Sequence, residues 1–242
     1  MKARISRKTS ARRRNSISAA VHHAKPAAVS ISQLTEKGTA YSLDEIRAIA
    51  DVAHAHGLKL HMDGARFTNA MLGLGCSPAE ATWKAGVDAL SFGATKNGAF
   101  AAEAVIFFDP QAAKDFEFRR KRGGHLFSKM RFLSAQLAAY LENDNWLRYA
   151  KTANDAARRL TDGLAALSGV ELLHVVEGNE IFARISGPVH QALRSAGCQY
   201  YAFDEADDGS VGIRLVTAFN TTEDDTEHFL KAARAGAGEA AA

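Results

Sequence analysis

Between Ala27 and Met62 a short strand, a capped amphipathic helix and a second strand follow one another so closely that a right-handed parallel crossover is the natural way to join them. Ala27–Ser32 reads as the first strand. Ser42 is a helix N-cap and Glu45, three residues on, completes a capping box. Leu43, Ile46, Ile49, Ala50 and Ala53 then share one helical face, and Gly57 stands where a left-handed residue ends the helix. Leu58–Met62 forms the second strand and runs into Asp63-Gly64. A helix around Ser77–Gly86 leads to a strand over Val87–Phe92, after which Lys96-Asn-Gly98 turns the chain back into Glu103–Phe108. Alternation of this kind predicts an α/β fold with a mainly parallel sheet.

Beyond Pro110 the pattern is helical, with helices expected over Ser128–Leu141 and Trp146–Leu167. Strands follow near Glu171–Val176, Ile181–Ile185, Gln199–Ala202 and Val211–Val216, with helices after Pro188 and Thr222, which predicts a small α+β lobe. The expected organisation is a disordered basic head over 1–20, a larger domain over 21–140, a linking helix with a smaller domain over 141–234, and a disordered tail over 235–242.

The chain has 242 residues, 47% of them hydrophobic, enough for a real core, yet no apolar run approaches the roughly 18–20 residues of a membrane helix. Two cysteines make no disulfide framework, which points to a reducing, cytoplasmic setting. The net charge of +3 hides an asymmetry: residues 1–20 carry seven basic residues and no acid, so the remainder is mildly acidic. Any attraction to nucleic acid would belong to that head alone. A basic nucleic-acid arm and an organelle transit peptide are alternatives to simple disorder there.

Ligands of open α/β sheets bind where parallel strands end, which places Asp63 at such a crevice. Arg66, three residues on, could line the same pocket, and Lys96 follows the next strand. An acid, a guanidinium and an amine at one sheet edge suit a pyridinium cofactor: the amine forms a Schiff base and the acid keeps the ring nitrogen protonated. The same residues also allow a plain Asp-Gly turn and a hairpin with a solvated lysine. His61 and Asp63, two apart on one strand, could bind a metal, but no third ligand is well spaced and a structural histidine is the simpler reading.

Read as longer motifs, His61-Met-Asp-Gly-Ala-Arg66, Gly86-Val-Asp-Ala-Leu-Ser-Phe-Gly-Ala-Thr-Lys-Asn-Gly98 and Glu103-Ala-Val-Ile-Phe-Phe108 closely resemble the low-specificity L-threonine aldolases, pyridoxal-phosphate enzymes of fold type I. The likeness extends through Val21–Pro26, Gly38–Glu45, Lys129–Gln136 and Gly212–Thr217, covering about 21–230. It implies part of an aspartate-aminotransferase-like large domain with a small C-terminal domain, and pyridoxal 5′-phosphate as cofactor. By position, Lys96 matches the lysine that bonds the cofactor aldehyde and Asp63 the acid paired with the pyridine nitrogen. Arg66 matches an arginine near the cofactor's phenolic oxygen and the substrate carboxylate, and Arg214 a second carboxylate-binding arginine. Lys129 or Arg131 are candidates for a phosphate contact across a subunit boundary.

The resemblance implies cleavage of L-threonine or L-allo-threonine to glycine and acetaldehyde, a small-molecule amino-acid substrate, a homo-oligomer, and neither membrane nor nucleic-acid partners. Family members begin well before the point matching Val21. Their Gly-Thr phosphate-binding turn and ring-stacking histidine have no counterpart here, so the chain is expected to be N-terminally truncated. An inactive fragment is the alternative reading.

Overall fold

The computed structural model describes residues 25–238. The expectations for the head over 1–20 and for residues 239–242, and the resemblance over 21–24, fall outside that range.

Four strands, β1 (Ala28–Ser32), β2 (Lys59–Gly64), β3 (Ala89–Gly93) and β4 (Glu103–Phe107), form one sheet in that order. The β1–β2 and β2–β3 pairs are parallel, and β4 returns antiparallel on β3, as the Lys96-Asn-Gly98 reversal requires. Helix α1 (Leu43–Ala55) makes the first crossover, and its capping box is closed in both directions: the Ser42 hydroxyl accepts from the Glu45 N–H while Glu45 accepts from the Ser42 N–H at 2.9 Å. Ile46, Ala50 and Ala53 are its buried face. Ile46 and Ala50 pack with Leu60, Met62, Leu90 and Phe92 from the strands, an apolar layer of the kind that drives helix-on-sheet association.

The second crossover departs from expectation. Helix α2 (Phe67–Leu74) stands immediately after the Asp63-Gly64 turn, where none was assigned. The helix expected over Ser77–Gly86 is broken into α3 (Pro78–Ala81) and a 3-10 turn at Trp83–Ala85, because Thr82 between them takes φ −126°, ψ −105° and Gly86 sits at φ 91°.

After α4 (Phe116–Arg122) and α5 (Met130–Leu141) comes the long helix α6 (Asn145–Ala165). A second, antiparallel sheet holds β5 (Val170–Leu172), β6 (Glu180–Ile185), β7 (Tyr201–Glu205) and β8 (Val211–Val216) in the order β5-β6-β8-β7. Helices α7 (Gly187–Ser195) and α8 (Glu223–Gly236) cover its apolar face. Strand β5 ends earlier, and β7 starts and ends later, than the alternation suggested. Helix α8 runs two residues into the expected tail, because Gly236 packs where a β-carbon would stand 2.6 Å from the Val189 Cα.

Helix α6 belongs to both layers. Its first turns, Trp146, Leu147 and Tyr149, pack on the first core, while Leu160 and Leu164 fill the second. A reciprocal amide pair fixes it to α2: Asn69 Nδ2 donates to Asn154 Oδ1 and Asn154 Nδ2 donates to the Asn69 carbonyl, both at 2.9 Å. From the other side Thr217 Oγ1 donates to the Ala153 carbonyl at 2.7 Å. Buried polar groups satisfied in this way hold the first sheet against the second in one orientation.

Candidate active site

Parallel pairing brings the carboxyl ends of β1, β2 and β3 to one edge. Asp63 is paired by register with Ser32 on one side and Ser91 on the other, and β3 ends at Gly93, three residues before Lys96. The turns beyond β2 and β3 touch: a β-carbon on Gly93 would lie 2.8 Å from the Ala65 Cα, so only glycine admits this approach. Asp63 itself is exposed, and its Oδ1 accepts the Ala65 N–H at 3.0 Å, the turn-forming bond allowed by the plainer reading of Asp-Gly.

Lys96 lies in a 3-10 turn over Thr95–Asn97, with its side chain exposed and its backbone strongly held. The buried Asn97 Nδ2 donates to the Tyr140 hydroxyl at 2.6 Å and to the Trp146 carbonyl at 2.9 Å, and Thr95 Oγ1 accepts the Ala102 N–H at 3.1 Å. Burial pushes the Tyr140 hydroxyl above its ordinary pKa, so it stays a neutral partner. No ion pair joins Lys96 to Asp63 among the described residues. The charge of Lys96 instead reaches Glu180.

The arginines meet around that same Glu180, which sequence reasoning missed. Arg66, the N-cap of α2, places Nη2 3.1 Å from Glu180 Oε1. Arg214 of β8 is paired by register with Phe182 of β6, which puts it diagonally beside Glu180 on one face of the second sheet, its Nε 3.9 Å from the same oxygen. The Glu180 side chain is 5% exposed and that of Arg66 15%, whereas Arg214 keeps 40%. Burial raises the Glu180 carboxyl above its ordinary value, against the pull of Arg66, Arg214 and Lys96. Burial likewise lowers Arg66, and Arg214 adds to that, while Glu180 opposes it. Both Nε atoms are buried without a hydrogen-bond acceptor. Two guanidiniums with unused, inward N–H groups form a site that wants a further anion.

His61 is spanned by serines, Nδ1 to Ser30 Oγ at 2.8 Å and Nε2 to Ser91 Oγ at 2.9 Å, so both ring nitrogens have structural partners on the neighbouring strands. Lys129 and Arg131 are exposed at the start of α5. The Arg131 guanidinium lies 4.9 Å from the Phe132 ring centre, and neither makes an ion pair with the site residues.

A crossover sheet with an acid and a lysine at its carboxyl edge, where Arg66 from the turn after β2 meets Arg214 of the second sheet, has the architecture of a cofactor-binding α/β enzyme. The sequence model described as beta-eliminating lyase matches residues 8–187, and the chain belongs to the beta-eliminating lyase family. Pyridoxal 5′-phosphate is the cofactor of this family. The chain is 48% identical over 203 residues to a low specificity L-threonine aldolase from Pseudomonas sp. (strain NCIMB 10558), a match covering 84% of this chain and 58% of that protein. It is 48% identical over 201 residues to the low specificity L-threonine aldolase of Pseudomonas aeruginosa, covering 83% and 57%. The threonine aldolase of Leishmania major superposes with a TM-score of 0.83 at 26% identity, over 90% of this chain and 63% of that one. The chain thus spans somewhat over half the length of the curated relatives it matches.

The donor set fits the family's cofactor. An amine and a carboxylate stand at adjoining strand ends, and two buried guanidinium N–H groups lack acceptors.

Proposed function

We propose that the chain is a pyridoxal-phosphate-dependent aldehyde-lyase that cleaves L-threonine and L-allo-threonine to glycine and acetaldehyde. The observation that carries this reading is the buried, under-satisfied Arg66–Arg214 pair beside the edge that presents Lys96 and Asp63. When bound, the cofactor supplies an electron sink for the carbon–carbon bond that breaks. Lys96 would hold its aldehyde, and Asp63 would keep a positive charge on its ring nitrogen. Arg66 and Arg214 would grip the substrate carboxylate by directional, charge-assisted hydrogen bonds, fixing the amino acid's orientation and so the bond that is aligned for cleavage. Asn97, tied to Tyr140 and Trp146, keeps the Lys96 turn from drifting, which preserves that alignment.

The relatives' names support the substrate class. The two cysteines, Cys76 and Cys198, are free, which fits a cytoplasmic setting, and no helix among the described residues is long and apolar enough to cross a membrane. Exposed apolar side chains along 100–141 fit association of the chain with copies of itself. The exposure of Lys96 and Asp63 favours a second reading, a subunit that is inactive by itself.

The test is cofactor capture. Purified chain is incubated with excess pyridoxal 5′-phosphate, desalted, reduced with borohydride and digested. The expected result is a visible absorbance that survives desalting, cofactor mass on the peptide containing Lys96, its loss in Lys96→Ala, and acetaldehyde released from L-allo-threonine. Colourless protein with no modified peptide overturns the reading, and capture without acetaldehyde selects the inactive subunit.

A further inference from the structure

We propose that Glu180 sets the specificity of the arginine site: standing between Arg66 and Arg214, it leaves room for a single carboxylate and so confines the site to monocarboxylic amino acids with uncharged side chains. The inference rests on the reading of that site as a carboxylate grip, and deepens it.

The position of Glu180 calls for explanation. Along β6, Ile181, Ala183 and Ile185 face the core, and Glu180 belongs to the opposite face, where Arg184 also lies. An acid on such a face ordinarily reaches water. Here it is buried, because Arg66 covers it from the first sheet and Gly38 packs on its backbone, so closely that a β-carbon there would stand 2.8 Å from the Glu180 carbonyl oxygen. The neighbouring backbone is fixed as well: Asn179 Nδ2 donates to the Thr217 carbonyl at 2.8 Å, and Glu177 Oε2 accepts the Ala40 N–H at 2.8 Å. The strand end that carries Glu180 is therefore held in place, with its carboxylate under the Arg66 guanidinium.

The charges that reach Glu180 are Arg66, Arg214 and Lys96, all cationic, and Glu36, acidic. With Glu180 itself the cluster holds three cations and two carboxylates, a net charge of +1. One incoming carboxylate neutralises it. A second would place an excess negative charge next to a fixed, mostly buried acid, where low local polarity magnifies the repulsion. Both ion pairs also use one oxygen, Oε1, and leave each Nε without an acceptor. Glu180 thus orients the guanidiniums without satisfying them.

The test needs neither cofactor nor turnover, so its outcome is separable from that of the cofactor-capture experiment. Calorimetric titration of the purified chain with butyrate and with succinate, four-carbon acids carrying one and two carboxylates, gives a ratio of dissociation constants. Glu180→Gln keeps the shape and raises the cluster to a net +2, so the ratio is expected to move at least tenfold toward succinate, and Glu180→Asp, which restores the charge, to return it toward wild type. A purely structural role would weaken both probes alike. A ratio that moves less than tenfold in Glu180→Gln overturns the proposal, as does wild-type protein that binds neither acid. Circular dichroism reports whether Glu180→Gln folds. If it does not, Arg214→Gln carries the test: its net charge of zero is expected to cost succinate at least tenfold more affinity than butyrate, and equal losses overturn the proposal.

Discussion

Gly38 shows how much of the site depends on one residue remote from any chemistry. Its φ of 72° lies in the left-handed region, and its missing side chain is what lets the loop seal Glu180 from water. Gly38→Ala therefore combines a backbone penalty of about 1–2 kcal/mol with a collision against a carbonyl that cannot retreat, since Glu180 begins a strand paired to β8. The expected outcome is a lower urea midpoint than wild type together with weaker carboxylate binding, because Glu180 is pushed off the arginines. An unchanged midpoint would show that the loop moves freely. At this scale the sequence was half informative. Asp63, Arg66, Lys96 and Arg214 stood out from their motifs, whereas Glu180 did not: an acid at the head of an alternating strand reads as a solvated end, and only the loop and arginine brought against it by the fold make it buried.

Among the elements, α1 was legible because its capping box, apolar face and terminal glycine agree, and local choices that agree specify one structure. Helix α2 was not. Phe67–Met71 are all buried, so the segment has no polar face to set a period, and its N-cap, Arg66, makes no side-chain capping bond. Nor was the joint between β2 and β3 visible, where Asp88 accepts from Lys59 Nζ and from the Leu60 N–H, both at 2.8 Å, with His54 Nε2 also at 2.8 Å. Burial alone would raise the Asp88 carboxyl, but the bonds from Lys59, Leu60 and His54 outweigh it and hold the pKa below the ordinary value. A depressed folded-state pKa contributes stability above the unfolded value and loses it as pH falls through the folded one. Asp88→Asn is accordingly expected to cost about 1–3 kcal/mol at pH 6, with the gap to wild type narrowing well below about pH 4. Urea midpoints of both proteins at pH 6 and pH 3 check this, and a gap of equal size at both would rule out the ionised carboxylate as its source.

Over the whole molecule, apolar exposure is concentrated rather than scattered. Of the fourteen exposed large apolar side chains among the described residues, eight lie between Phe100 and Leu141. Phe100 is 92% exposed, and Val105 and Ile106 emerge from β4, whose outer side has no strand partner in the described sheet. Unpaired edge groups and apolar side chains together favour pairing with another polypeptide. The second sheet contrasts with this, since β6 and β8 bury their inner face under α6, α7 and α8. Association through the β4–α5 side is thus expected to leave the carboxylate site intact, as that site sits between β6, β8 and the start of α2. Light scattering after gel filtration should give a mass above the 26.0 kDa of one chain. The double variant Ile106→Lys with Phe132→Lys should move the mass toward one chain while retaining butyrate binding, because both side chains are already exposed and carry little of the core. A wild-type mass of one chain across the accessible concentration range would show that this surface does not mediate self-association.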